Sequence, residues 1–275
     1  MQKTIYPLKF IIAALILFCT SACDDLFEYH PNQIRLDEHE RNLTARNLER
    51  LQQQQPGDTL RLLVMGDTQR FYDDAVDFVK AANTTFQDID FVIHQGDISD
   101  FGLTQEHKWV HDIMKDLKWP YLTVVGNHDL LANGTKVYQQ MYGPLNYSFT
   151  YGHTKFVFVD TNGREYSFNG KVPDINWLAK ELIPQQGEVW EQAIVVSHVP
   201  PYDADFDRKL EAPYHEALVA SNKVSLSLFG HIHNWNTANL YDNKILYHGT
   251  TTVKKRGFTY LRVWKDGYNI RRIEY

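Results

Sequence analysis

From Leu60 onward, short apolar runs of strand character alternate with stretches whose apolar residues recur at helical spacing. The runs are Leu60–Met65, Ile89–His94 and Tyr121–Val125. Between and after them the spacing predicts helices near Asp73–Ala82, Thr104–Leu117 and Lys136–Tyr142, the first with Ala75, Val76, Val79 and Ala82 on one face. Largely apolar strands alternating with helices predict a largely parallel sheet covered on both sides.

The second half is richer in strands. The pattern predicts them at Tyr147–Tyr151, Lys155–Asp160, Ala193–Ser197, Val224–Phe229, Thr237–Tyr241, Lys244–His248, Gly257–Trp264 and Tyr268–Ile273, with hairpin turns at Asp242-Asn243 and Asp266-Gly267. Helices are predicted at Asp174–Ile183 and Glu211–Ala220. Ahead of these lies a helix over about Thr44–Gln54, stopped by Pro56-Gly57, and a polar stretch over 24–40 that reads as a tether. With no repeat and no linker after residue 57, residues 58–275 form one domain of two packed sheets with outer helices, preceded by a tether and helix at 23–57.

The first 22 residues change the picture of where the chain works. Lys3 and Lys9 are followed by the unbroken apolar run Phe10–Phe18, then Thr20-Ser21-Ala22 and Cys23. The run suits a secretion signal and is shorter than the roughly 20 residues that span a bilayer. The segment resembles the cleavage box of bacterial lipoproteins, with Thr20 where Leu is usual, and Asp24-Asp25 resembles an acidic surface-export start. This predicts a signal peptide at 1–22, a lipidated Cys23 and anchorage to a bacterial outer membrane, periplasmic or surface-facing, the alternatives being a retained signal anchor or an ordinary cleaved signal. Both cysteines, Cys19 and Cys23, lie here, so the body has no disulfide and no thiolate metal site. The net charge of −6 gives no general attraction for nucleic acid backbones, and no nucleic-acid-binding surface is evident.

The candidate chemistry falls where strands give way to loops. Gly66-Asp67-Thr68-Gln69, Gly96-Asp97-Ile98-Ser99-Asp100, Gly126-Asn127-His128-Asp129 and Gly230-His231-Ile232-His233 follow in order, with His198 between the last two. Carboxylate and amide oxygens mixed with imidazoles suit two divalent ions such as Mn, Fe, Zn or Mg. The carboxyl ends of parallel strands are where such loops converge.

These blocks, with His198-Val199-Pro200-Pro201, resemble the calcineurin-like metallophosphoesterases from about Leu60 to His248. The resemblance implies a four-layer αββα sandwich, two mixed sheets flanked by helices, acting on a phosphate-ester substrate. It implies a first metal on Asp67, Asp97 and His233 and a second on Asp97, Asn127, His198 and His231. His128 would face the substrate, held by Asp100, and a metal-activated hydroxide would attack phosphorus in line. Gln69 stands where the family most often has His. As a neutral oxygen ligand it would weaken the first site for Zn and tilt it towards Mn, Mg or Fe.

Other polar residues carry blander readings. His94 and His248 read as structural strand histidines, and His107, His111 and His215 as surface or satisfied groups on helices. Lys254-Lys255-Arg256 reads as a solvated run. Asp203, Asp205 and Asp207 imitate the start of a calcium loop, but Arg208 and Tyr214 stand where its Gly and Glu belong. Their loop, Pro201–Ala212, and Thr161–Val172 are candidates for the substrate rim. No P-loop, Rossmann fingerprint or nucleophile elbow is present. The rival from another class is a catalytically silent lipoprotein using the fold as a surface binding module. The intact motif residues weigh against it.

Overall fold

A computed structural model describes residues 30–241 and 245–275. The expected signal peptide at 1–22, Cys23 and the expected Asp242-Asn243 turn lie outside the described residues. The chain divides into Met1–Gln33 and Ile34–Tyr275. Of the first unit, 30–33 are described, a turn in which the Gln33 N–H donates to the His30 carbonyl at 2.8 Å.

The second unit is built from eleven strands in two mixed sheets and six α-helices among the described residues. The first sheet holds β1 (Thr59–Met65), β2 (Phe91–His94), β3 (Tyr121–Thr123), β10 (Gly257–Trp264) and β11 (Gly267–Glu274), in the order β11-β10-β1-β2-β3. β1, β2 and β3 are parallel; β10 and β11 close the other edge antiparallel. The second sheet runs β4 (Tyr147–Tyr151), β5 (Thr154–Phe158), β6 (Gln192–Val196), β7 (Val224–Phe229), β9 (Leu246–Gly249) and β8 (Asn236–Ala238), parallel from β5 through β9.

The period of two in the strands sorts their side chains into three cores. Leu60, Leu62 and Val64 of β1 join Phe91, Ile93, Phe156, Phe158, Ile194, Val196, Leu226 and Leu228 between the sheets. Leu63 and Met65 point the other way, against α2 (Tyr72–Thr85), α3 (Thr104–Met114) and α4 (Gly134–Met141) through Phe78, Val79, Val110, Met114, Tyr138 and Met141. Val157, Ala193 and Val195 pack on α5 (Ile175–Glu181) and α6 (Glu211–Ala220) through Leu178, Tyr214 and Leu218. The result is the expected four layers, helix, sheet, sheet, helix. On α2 the buried residues are Ala75, Phe78, Val79 and Ala82, whereas Val76 is only half-buried.

The helix ahead of β1, α1 (Leu43–Gln52), belongs to this unit. It sends Leu43 into the outer core and Leu51 into the inter-sheet core. The β10–β11 hairpin turns at Lys265-Asp266, where Trp264 pairs with Gly267. Among the described residues no helix is long and apolar enough to cross a membrane.

Candidate metal centre

The parallel strands β1, β2, β3, β6 and β7 all end at one rim, and the motif residues sit in the loops just beyond. Asp67, Asp97, His231 and His233 have φ of 56°, 54°, 66° and 56°. A left-handed backbone costs a non-glycine residue on the order of 1–3 kcal/mol and persists where surrounding structure over-determines it. Four such residues at one rim mark a constrained site. The loops lock together through the main chain: Asp67 N–H donates to the Gly96 carbonyl at 3.0 Å, and Thr68 and Gln69 N–H both donate to the Asp97 carbonyl. Gly126 permits the approach, since a Cβ there would overlap the main-chain nitrogen and Oδ1 of Asp97.

The structure brings together Asp67, Gln69, Asp97, Asn127, His198, His231 and His233. Asp67 Oδ1 is 3.2 Å from His233 Nε2, and Asp97 Oδ1 is 3.2 Å from His198 Nε2. Asn127 Oδ1 lies 3.1 Å from both His198 Nε2 and His231 Nδ1. Gln69 Nε2 donates to Asp97 Oδ2 at 3.0 Å and lies 3.4 Å from His233 Nε2. One oxygen of Asp97 therefore faces the His198 side and the other faces Gln69. Asp67, Asp97 and His233 each offer a ligand atom within 4.8 Å of the others.

The electrostatics follow from burial and proximity. Burial opposes both charges, yet the Asp97–His198 pair holds the carboxyl below its usual range and the imidazole above its own. His233 is raised by its hydrogen bond to Asp67. His231 is lowered by burial and by the His198 charge. Asp67 Oδ2 and Gln69 Oε1 are buried with no hydrogen-bond partner among the described residues. Orphaned buried oxygens are costly unless something positive completes them, so the residues fit a divalent cation. A half-turn of the Gln69 amide would bring its oxygen to the Asp97 and His233 side.

Surrounding groups orient these side chains. The Gln95 carbonyl, 2.7 Å from His198 Nδ1, keeps the proton there and turns Nε2 inward. His231 Nε2 is 3.4 Å from Asp203 and 3.6 Å from Asp205, which fixes that ring from outside. Asp129 accepts from Ser99 N–H and Oγ and from Gly126 N–H, tying the second and third loops together. The sequence does not announce Gln95, Asp129, Asp203 and Asp205 in these roles; Asp129 carried a signal as fourth residue of its motif, and Asp203 and Asp205 as members of the candidate rim loop Pro201–Ala212.

Asp100 departs from expectation. Its main-chain carbonyl, 2.7 Å from His128 Nδ1, holds the ring, while its carboxylate stands 3.8 Å away. That carboxylate is taken by Arg70 Nε at 2.8 Å, because the left-handed turn at Arg70, φ 66°, swings its side chain over Asp100. His107 also differs: it is fully buried and neither ring nitrogen has a hydrogen-bond partner among the described residues. His94 bonds Thr68 Oγ1 and the Gly96 N–H, and His248 bonds Thr237 and Thr259, both as structural groups. The exposed basic run is more than solvated: Lys255 donates to the His233 carbonyl and Arg256 pairs with Asp77.

The family model for calcineurin-like phosphoesterases matches residues 60–235. The chain belongs to that family. It is a metal-dependent phosphoester hydrolase. A probable cyclic nucleotide phosphodiesterase of Fibrobacter succinogenes is 24% identical over 205 residues, covering 69% of this phosphoesterase and 77% of the relative. Among solved structures, a dimetal phosphatase from Danio rerio aligns with TM-score 0.62 and 14% identity over 78% of this chain and 97% of that one. GAP50, the anchor in the inner membrane complex of Plasmodium, aligns with TM-score 0.58 and 17% identity over 78% and 84% of the two chains. At these identities the structures establish the fold of the phosphoesterase and nothing finer.

Proposed function

We propose that this phosphoesterase is an exported enzyme that hydrolyses a phosphomonoester or phosphodiester at a pair of divalent ions. Asp67, Gln69, Asp97 and His233 would hold the first, and Asp97, Asn127, His198 and His231 the second. The observation that carries this reading is Asp97, whose two oxygens face the two ligand groups, one towards His198 and one towards Gln69. Bound there, two cations would acidify a water and neutralise phosphoryl oxygens.

The chain's own residues supply orientation and proton handling. His198 and His231 are aimed inward by the Gln95 carbonyl and by Asp203 and Asp205. His128, its Nδ1 held by the Asp100 carbonyl, has Nε2 left to hold or deliver a proton at the leaving oxygen. A neutral amide at Gln69 favours Mn, Mg or Fe over Zn in the first position. The leader and Cys23 support lipid anchorage in a bacterial outer membrane, checked by whether Cys23→Ser moves the protein to the soluble fraction.

The test is metal analysis with hydrolysis of p-nitrophenyl phosphate and bis-p-nitrophenyl phosphate in added Mn. A 3′,5′-cyclic nucleotide joins the panel on the strength of the Fibrobacter relative's name. Asp97→Ala is expected to lose both metal and turnover. No hydrolysis of any of these by metal-loaded parent would refute the reading for these ester classes.

A further inference from the structure

Arg70 is a cation at the rim that shares the Asp100 carboxylate with His128. Its side chain is 59% exposed, yet it is not loose: Nε donates to Asp100 Oδ1 at 2.8 Å. The same carboxylate oxygen is 3.8 Å from His128 Nδ1. The guanidinium and the imidazole are thus neighbours on one oxygen. Arg70 follows Gln69 directly, and its φ of 66° is a strain that aims the side chain.

The other basic groups of the rim are engaged differently. Arg164 Nη1 sits at 2.8 and 2.9 Å from the two oxygens of Asp205. Lys255 Nζ donates to the His233 carbonyl and to Asn234. Lys254 lies 4.9 Å over the Phe71 ring. With Nε spent on Asp100, the η nitrogens of Arg70 have no hydrogen-bond partner among the described residues. A guanidinium presents donors in a planar fork that matches phosphoryl oxygens, and fixing one edge removes the ordering cost of using the other.

We propose that Arg70 is a substrate-gripping residue, its free η edge binding a non-bridging oxygen of the phosphoryl group beside His128. Asp100 is then a clasp for both: its carbonyl orients the imidazole and its carboxylate orients the guanidinium. The inference rests on the phosphoesterase reading of the same site and deepens it by naming what holds the substrate's anion.

The test titrates the Mn-loaded full chain with inorganic phosphate by calorimetry, for parent, Arg70→Gln and Arg70→Lys, with metal content and Tm measured alongside. Losing a charge-assisted hydrogen-bonded pair predicts phosphate binding about 10- to 100-fold weaker in Arg70→Gln. KM for p-nitrophenyl phosphate is expected to rise more than kcat falls, with metal content unchanged. Arg70→Lys keeps a charge for Asp100 but loses the fork, so it should recover only part of the affinity, and it carries the test if Arg70→Gln does not fold. Equal phosphate affinity in parent and Arg70→Gln, or full recovery by Arg70→Lys, would overturn the assignment. Phosphate binding is read without turnover, so absence of hydrolysis counts against the phosphoesterase reading and not against this one.

Discussion

The His107→Leu substitution tests how burial sets the acid sensitivity of the phosphoesterase. His107 is on α3, its ring against Tyr138 and Tyr142, fully buried and unpartnered. Burial alone pushes its pKa down from 6.5 to about 3. Because the folded value is depressed below the unfolded one, the unfolded chain binds the proton first as pH falls. Stability is therefore lost from about pH 6.5 downward and levels off only near the folded value. At pH 5 the unfolded histidine is almost fully charged and the folded one still neutral, so this group costs about 2 kcal/mol between pH 7 and pH 5. That figure holds for any folded value well below 5. Leucine is of similar size and cannot titrate. His107→Leu should be more stable than the parent at pH 7 by about 1–3 kcal/mol, the cost of the unpaired ring nitrogens, and by about 2 kcal/mol more at pH 5. Urea unfolding followed by tryptophan fluorescence at both pH values reads the two differences. The variant shares His94 and His248, also lowered by burial, to about 3 and about 4, so their contributions cancel in the comparison. An unchanged pH 7-to-5 loss in His107→Leu would refute the reasoning.

Two further outcomes bear on the metal centre. Gln69→His replaces a neutral amide with imidazole, so metal analysis after loading from a Mn and Zn mixture should shift towards Zn; an unchanged metal preference would remove Gln69 from the ligand set. Gly126→Ala drives a methyl into Asp97, so it should destabilise by about 1–3 kcal/mol and lower bound metal by mass spectrometry, whereas parental metal content and stability would show that the loops can part without harm.

The motif-bearing strands were legible because they are largely apolar; β2 and β6 are buried at every position, while β1 is interrupted only by the exposed Arg61. The edges were less legible. β8 is three residues of partial burial, Asn236–Ala238, and its pattern blurs into the following turn, which moved its expected position towards Tyr241. The motif residues that the structure brings together at the rim were legible as short blocks just past strand ends. The link between Asp100 and Arg70 was not, since it depends on a left-handed turn at an arginine, a conformation that composition does not advertise. His107 shows the opposite limit: a polar residue at helical spacing reads as exposed, and here the packing of Tyr138 and Tyr142 overrode that preference.

The pairing of β1 has a consequence for the order in which the molecule can be completed. β1 carries Asp67 at its end, and one of its two neighbours is β10, joined from Thr59↔Trp264 to Val64↔Thr259. A chain emerging amino end first holds Asp67 and Asp97 long before His231, His233 and β10 exist. The imidazoles that pair with them, His198 on Asp97 and His233 on Asp67, both raised above the usual histidine range, come later in the chain, and enclosing the carboxylates without them leaves buried charge unpaired. Closure of the first sheet on β10 and pairing of both carboxylates are therefore expected only once the last strands are present. Cation capture should then be a late event, so that a cation held by this chain certifies that nearly all of it has been made and folded.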